Sequence, residues 1–94
     1  MVYIITLTYR VAAQALSVHL QAHQQWLRAQ LDAGLFLAAG PSDDGMGGIV
    51  LAHTTDRTAL ERAVAADPFV VHQLVDVSVQ GFTPVVRAEG FLNG

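Results

Sequence analysis

Residues 2–9, VYIITLTY, alternate with period two: Tyr3, Ile5, Leu7 and Tyr9 fall on one side, and Val2, Ile4, Thr6 and Thr8 on the other. This pattern, rich in β-branched and aromatic residues, predicts a strand. From about Ala12 to Ala33 leucines recur at 16, 20, 27 and 31, a helical spacing, and Gly34 supplies the stop, so one helix is expected. Leu35–Gly40 reads as a short apolar strand, PSDDGMGG as a hairpin loop and Gly48–His53 as the returning strand. Thr54, Thr55 and Asp56 each offer an N-cap for a second helix with Leu60, Ala63 and Val64 facing inward; Thr58 with Glu61 is an alternative capping box one turn later. Pro68 ends that helix near Ala66, because the residue before a proline is pushed out of the α region. Asp67-Pro68 then reads as N-cap and first position of a short helical turn through His72. Val75–Thr83 closes the series as a strand in which Val75, Val77 and Val79 alternate with Asp76, Ser78 and Gln80, and an irregular tail follows Pro84.

The order βαββαβ is that of an α+β, ferredoxin-like fold: a four-stranded antiparallel sheet with two helices on one face. Two helices cover only one face, yet the first three strands are apolar on both. A second copy laid sheet to sheet would cover the other, giving a homodimer with the form of a dimeric α+β barrel. Composition strengthens this expectation. The chain is 52% hydrophobic with a mean hydropathy of +0.39, high for a small domain that must cover its own exterior. Its 94 residues are expected to form a single domain, with a core over 1–84 and a tail over 85–94, a size at which a partner subunit adds useful burial.

Charge and cysteine content remove several function classes. Charged residues make up 14% of the chain, all five cations are scattered arginines, and the net charge is −3, so the basic footprint that nucleic acid requires is missing. Without cysteine there is no disulfide, no thiolate nucleophile and no cysteine-type zinc site. The opening MVYIITLTYR is a strand pattern, without a basic leader region and far shorter than the roughly 20 residues that span a bilayer, so no membrane association and a cytoplasmic location are expected.

Two residues stand out chemically. On a helical wheel with Leu16 at 0°, Leu27, Leu20 and Leu31 fall at about 20°, 40° and 60°, and His23 at about −20°, inside the apolar stripe. An imidazole there needs a polar partner. Asp67 lies in the apolar run AADPFVVH. Fourteen residues separate Tyr9 from His23 and fourteen separate His53 from Asp67. The ferredoxin-like order is expected to send both helices back over the sheet in the same direction, each from the end of a neighbouring parallel strand, so the two side chains are expected at similar depth on adjacent helices. Asp67 then orients the His23 ring in one tautomer. Two plainer readings remain open: a satisfied core histidine, and an aspartate that caps the turn at Pro68. For Asp67 the cap and the pair are compatible, with one oxygen taking the backbone N–H and the other the imidazole.

The series His23, Trp26-Leu27, Gly34, Phe36-Leu37-Ala38-Ala39-Gly40-Pro41, Gly47-Gly48 and Asp67-Pro68-Phe69 resembles the YciI-like (YCII-related) family of small dimeric α+β barrel proteins, over residues 1 to about 84. The resemblance implies a homodimer and an active site built on a histidine and an aspartate, matching His23 and Asp67. It also implies kinship with muconolactone-isomerase-like and dehydrochlorinase-like enzymes of aromatic breakdown.

The leading functional expectation is therefore a cofactor-free lyase or isomerase for a small cyclic or aromatic molecule, with His23 as general acid/base and Asp67 as its orienter, both opening onto a small pocket. The alternative is a non-catalytic small-ligand-binding or dimeric interaction domain in which the pair is structural. A cofactor-free oxygenase of the related barrel families is a third possibility that no residue selects. His19 and Trp26 flank the leucine stripe, His53 ends a strand and His72 sits in the short turn; none has a metal-ligand spacing. Thr6, Thr8, Asp76 and Ser78 are polar strand positions that could line a pocket or a solvated face. The GMGG loop has no helix after it and is not a phosphate cradle.

Overall fold

The computed structural model describes residues 1–92. In chain order the elements are β1 (Val2–Tyr9), α1 (Ala13–Ser17), α2 (Leu20–Asp32), β2 (Phe36–Pro41), β3 (Gly47–His53), α3 (Arg57–Ala65), α4 (Pro68–Val71) and β4 (Val75–Phe82). The sheet order is β2-β3-β1-β4 and all pairs are antiparallel, the ferredoxin-like arrangement. Residues 93 and 94 of the expected tail lie outside the described residues, and 84–92 carry no helix or strand.

The register separates the two sheet faces. Ile5 lies between Val50 and Val79 on the helix side, while Ile4 lies between Leu51 and Gln80 on the other. The helix side holds the core, where Ile5, Ala52 and Leu60 are fully buried. Trp26 packs edge-on against Phe36, with ring centroids 5.2 Å apart, and its Nε1–H donates to the Ala63 carbonyl at 2.9 Å, tying α2 to α3. Gly47 is required by close approach: a Cβ there would lie 1.7 Å from the Leu7 carbonyl oxygen. Gly34 ends α2 at φ +82°, and the bonds Gly34 N–H to Leu31 O and Leu35 N–H to Gln30 O form a Schellman motif.

Two expectations are corrected here. The first helix is broken at Val18-His19, where His19 leaves helical geometry (φ −110°, ψ 5°). No proline or glycine marks the break. It follows a low-propensity Ser-Val step, and a tightened His19 N–H to Leu16 O bond closes α1. The wheel drawn from Leu16 therefore does not continue through α2. In α2 the buried residue is Trp26, while Leu20 is exposed and Leu27 and Leu31 are half-buried.

The second correction concerns direction. β1 and β3 are antiparallel, so α2 leaves the Tyr9 end of the sheet while α3, which begins after His53 beside Val2, runs back toward it. The helices run in opposite senses, and the matching fourteen-residue offsets are a coincidence.

Candidate active site

What brings Asp67 to His23 is the antiparallel course itself. The first turn of α2 starts where α3 ends, at the Tyr9 end of β1, and α4 packs under it before β4 begins at Val75 beside Tyr9. His23 Nδ1 lies 2.7 Å from Asp67 Oδ1. The His23 side chain is 12% exposed and that of Asp67 0%.

Asp67 is held from all sides by its position at a helix junction. Its N–H donates to Val64 O at 3.1 Å, closing α3, and its carbonyl accepts the N–H groups of Val70 and Val71, both at 2.8 Å, opening α4. Its side chain caps α4 by accepting the Phe69 N–H at 3.0 Å, with Pro68 at a position that needs no donor. The expected division of labour between the two oxygens is not observed. Oδ1 takes both the imidazole and the Phe69 N–H, and Oδ2 is buried with no hydrogen-bond partner among the described residues.

Phe69 also fixes the ring plane. Its ring stacks on His23 with centroids 4.0 Å apart and 5° between planes, and Trp26 stands 5.6 Å away on another side. With the carboxylate as acceptor, Nδ1 is the donor, and Nε2 is the ring nitrogen that Asp67 leaves unengaged.

His23 is on the wall of a cavity of about 320 Å³ between α2 and the sheet, at the small end of the roughly 300–1,000 Å³ typical of ligand sites. Leu7, Leu27, Val50 and Phe69 supply much of its apolar lining, and Tyr9, His23 and Gln24 are its polar side chains. Asp67 does not line it, so only one member of the pair opens onto the pocket. It stands behind the histidine, out of reach of a ligand. Thr6 and Thr8 pair with Ser78 and Asp76 on the sheet face away from the helices, and none of the four lines the cavity. Their polarity belongs to that other face, where Asp76 meets Arg10 at 3.6 Å.

His19 and His72 are brought together, their rings stacked at 3.9 Å, whereas His53 ends β3 at the far end of the sheet, beside Val2. Among the described residues no three histidine, cysteine or acidic side chains gather as a metal site. No helix of these residues is long and apolar enough to cross a membrane.

Tyr9 and Gln24 were not singled out in the sequence. Tyr9 had a visible signal: it ends the inward-facing series Tyr3, Ile5, Leu7, and a polar tip at the end of such a series sits at the rim of what the strand covers. Gln24 had none beyond its place next to His23.

Among solved structures the chain is similar to 5-chloro-2-hydroxyhydroquinone dehydrochlorinase (TftG) of Burkholderia phenoliruptrix, in complex with 2,5-dihydroxybenzoquinone. The TM-score is 0.73 at 19% identity, over 88% of this chain and 94% of that one, which is a likeness of fold. No curated protein matches the sequence. The family model for the YCII-related domain matches residues 1–83, covering every element from β1 to β4. The chain belongs to the YCII-related domain family.

Proposed function

We propose that this protein is a cofactor-free enzyme of lyase or isomerase type that acts on a small cyclic or aromatic organic molecule by proton transfer at His23. The observation that carries this reading is the placement of one imidazole on the wall of an apolar cavity, with its other nitrogen tied at 2.7 Å to a fully buried carboxylate. Nε2 takes a proton from carbon or oxygen of the bound molecule, and Asp67 keeps the ring in the tautomer that can accept it. The electron pair released either expels a leaving group or returns to a proton at another carbon. Support comes from the structural neighbour, which is a dehydrochlorinase of a chlorinated hydroxyquinol.

The capping bond of Asp67 supports a second reading, in which the pair is structural and the cavity only binds. Substitution separates the two. Against a panel of ring-cleavage lactones, chlorinated hydroxyquinols and related acids, His23→Ala is expected to lower turnover by on the order of 10²–10⁴ while the protein stays folded. Wild-type turnover of a substrate that His23→Ala retains in full would defeat the catalytic reading.

The functional unit under this proposal is a homodimer. On the sheet face without helices Ile49 is 43% exposed and Phe82 45%, beside half-buried Ile4 and Leu51, an apolar surface that a second copy would cover. Sedimentation at micromolar concentration is expected to give a dimer mass; a persistent monomer would remove this part.

A further inference from the structure

The cavity has a second polar group that the proton-transfer scheme has not used. Tyr9 is the last residue of β1 and lines the same cavity as His23, one from the sheet and one from the helix above it. Its backbone is pinned on both sides: Tyr9 N–H donates to Met46 O at 2.9 Å, and Arg10 N–H to Leu74 O at 2.9 Å. Its hydroxyl makes no hydrogen bond among the described residues, although Tyr9 is half-buried and packed against the core. A phenol without a protein partner among the described residues, on a strand residue that lines an apolar cavity, is available as a hydrogen-bond donor to a ligand there.

We infer that the Tyr9 hydroxyl holds a ring oxygen of the ligand and stabilises the negative charge that forms on it, so that the cavity selects phenols, enols and cyclic ketones over hydrocarbons of the same shape. The inference rests on the cavity being the substrate site. When His23 Nε2 removes a proton from a carbon next to a ring carbonyl, the C–H electron pair moves onto the carbonyl oxygen. That oxygen becomes the better acceptor for the Tyr9 O–H. A hydrogen bond that strengthens as charge develops is the kind that accelerates the step. Gln24 is the other polar side chain on the wall, but it is exposed, on the helix side, and belongs equally to an open groove along α2.

The test uses the intact protein, p-nitrophenolate as a charged probe and p-nitrotoluene as its isostere without the oxygen. Wild type is expected to bind the phenolate more tightly. Tyr9→Phe, which keeps the ring, is expected to weaken the phenolate about tenfold or more and to leave p-nitrotoluene unchanged. The visible band of bound p-nitrophenolate should shift in wild type and return toward its position in water in Tyr9→Phe. Equal binding of the phenolate by both proteins, an equal loss for both probes, or transfer of the selectivity to Gln24→Leu would each overturn the role of Tyr9 while leaving the cavity as a binding site. Failure of wild type to bind either probe would overturn both the role and the cavity. Selectivity lost in Tyr9→Phe, with turnover indifferent to His23→Ala, would instead keep this inference and reject the catalytic one.

Discussion

Asp56 and Asp67 have the same local task and different fates. Each is the N-cap of a helix: Asp56 accepts the Ala59 N–H at 3.1 Å to open α3, and Asp67 accepts the Phe69 N–H at 3.0 Å to open α4. Asp56 is exposed and water shares its charge, whereas Asp67 is 0% exposed. A cap is worth about 1 kcal/mol, and removing a carboxylate from water costs several kcal/mol. Capping therefore accounts for the position of both aspartates but not for the burial of one, above all in a helix of four residues. The difference lies in the imidazole that Asp67 meets and Asp56 does not.

The largest effect expected from this contrast is at Asp67. Asp67→Ala removes the cap and leaves both the Phe69 N–H and the His23 Nδ1–H without their acceptor, so urea unfolding should show a loss of about 3–5 kcal/mol. Asp67→Asn keeps an oxygen for both donors but lacks the charge. It should lose much less stability while still depressing turnover, since an amide can present its NH₂ to Nδ1 and so hold the ring in the wrong tautomer. Equal turnover in Asp67→Asn and wild type would make the aspartate a structural member only.

Asp56→Ala should cost about 1 kcal/mol, within the usual 0.5–2 kcal/mol for a lost cap, with no change in ligand binding. The two alanine variants measured side by side break the comparison if their losses are equal. Such a result would mean that the buried pair adds nothing beyond an ordinary cap.

Much of this architecture was legible in the chain, for physical reasons that differ by element. In β4 valines alternate with polar residues and in β1 burial alternates from Tyr3 to Leu7, and both strands end within a residue of where the pattern ends. Asp67-Pro68 was readable because proline restricts both itself and its predecessor, and the observed α3 stop and α4 cap follow from that alone. The break at His19 was not readable, since the Ser-Val step before it is only a mild helix disfavourer and neither Val18 nor His19 is a strong breaker. The meeting of His23 and Asp67 does not follow from the equal offsets along the chain. Periodicity identified a histidine in need of a partner, but the encounter depends on strand direction, which no local spacing encodes. Tyr9 as part of the wall required the position of α2, and that in turn depended on the unread break.

A third aspartate, exposed like Asp56 but capping no helix, gives the smallest expected effect. Asp44, in the loop between β2 and β3, accepts the Ser42 hydroxyl at 2.7 Å and the Met46 N–H at 2.8 Å through Oδ1. These two bonds favour its charged form, the Ser42 hydroxyl first, and hold its carboxyl below the ordinary carboxylate value. Because the folded value is depressed, the associated stabilisation is fully present above the unfolded carboxylate value and is lost as pH falls through the folded one. A carboxyl-detected NMR titration should find Asp44 ionising below an unperturbed aspartate, and Ser42→Ala should move it upward. Asp44→Ala should change global stability less than Asp56→Ala, since no helix depends on it and water screens its charge. If Asp44 titrated at or above the ordinary value, the loop bonds would not be formed in solution. The contrast between buried Asp67 and exposed aspartates would then rest on Asp56 alone.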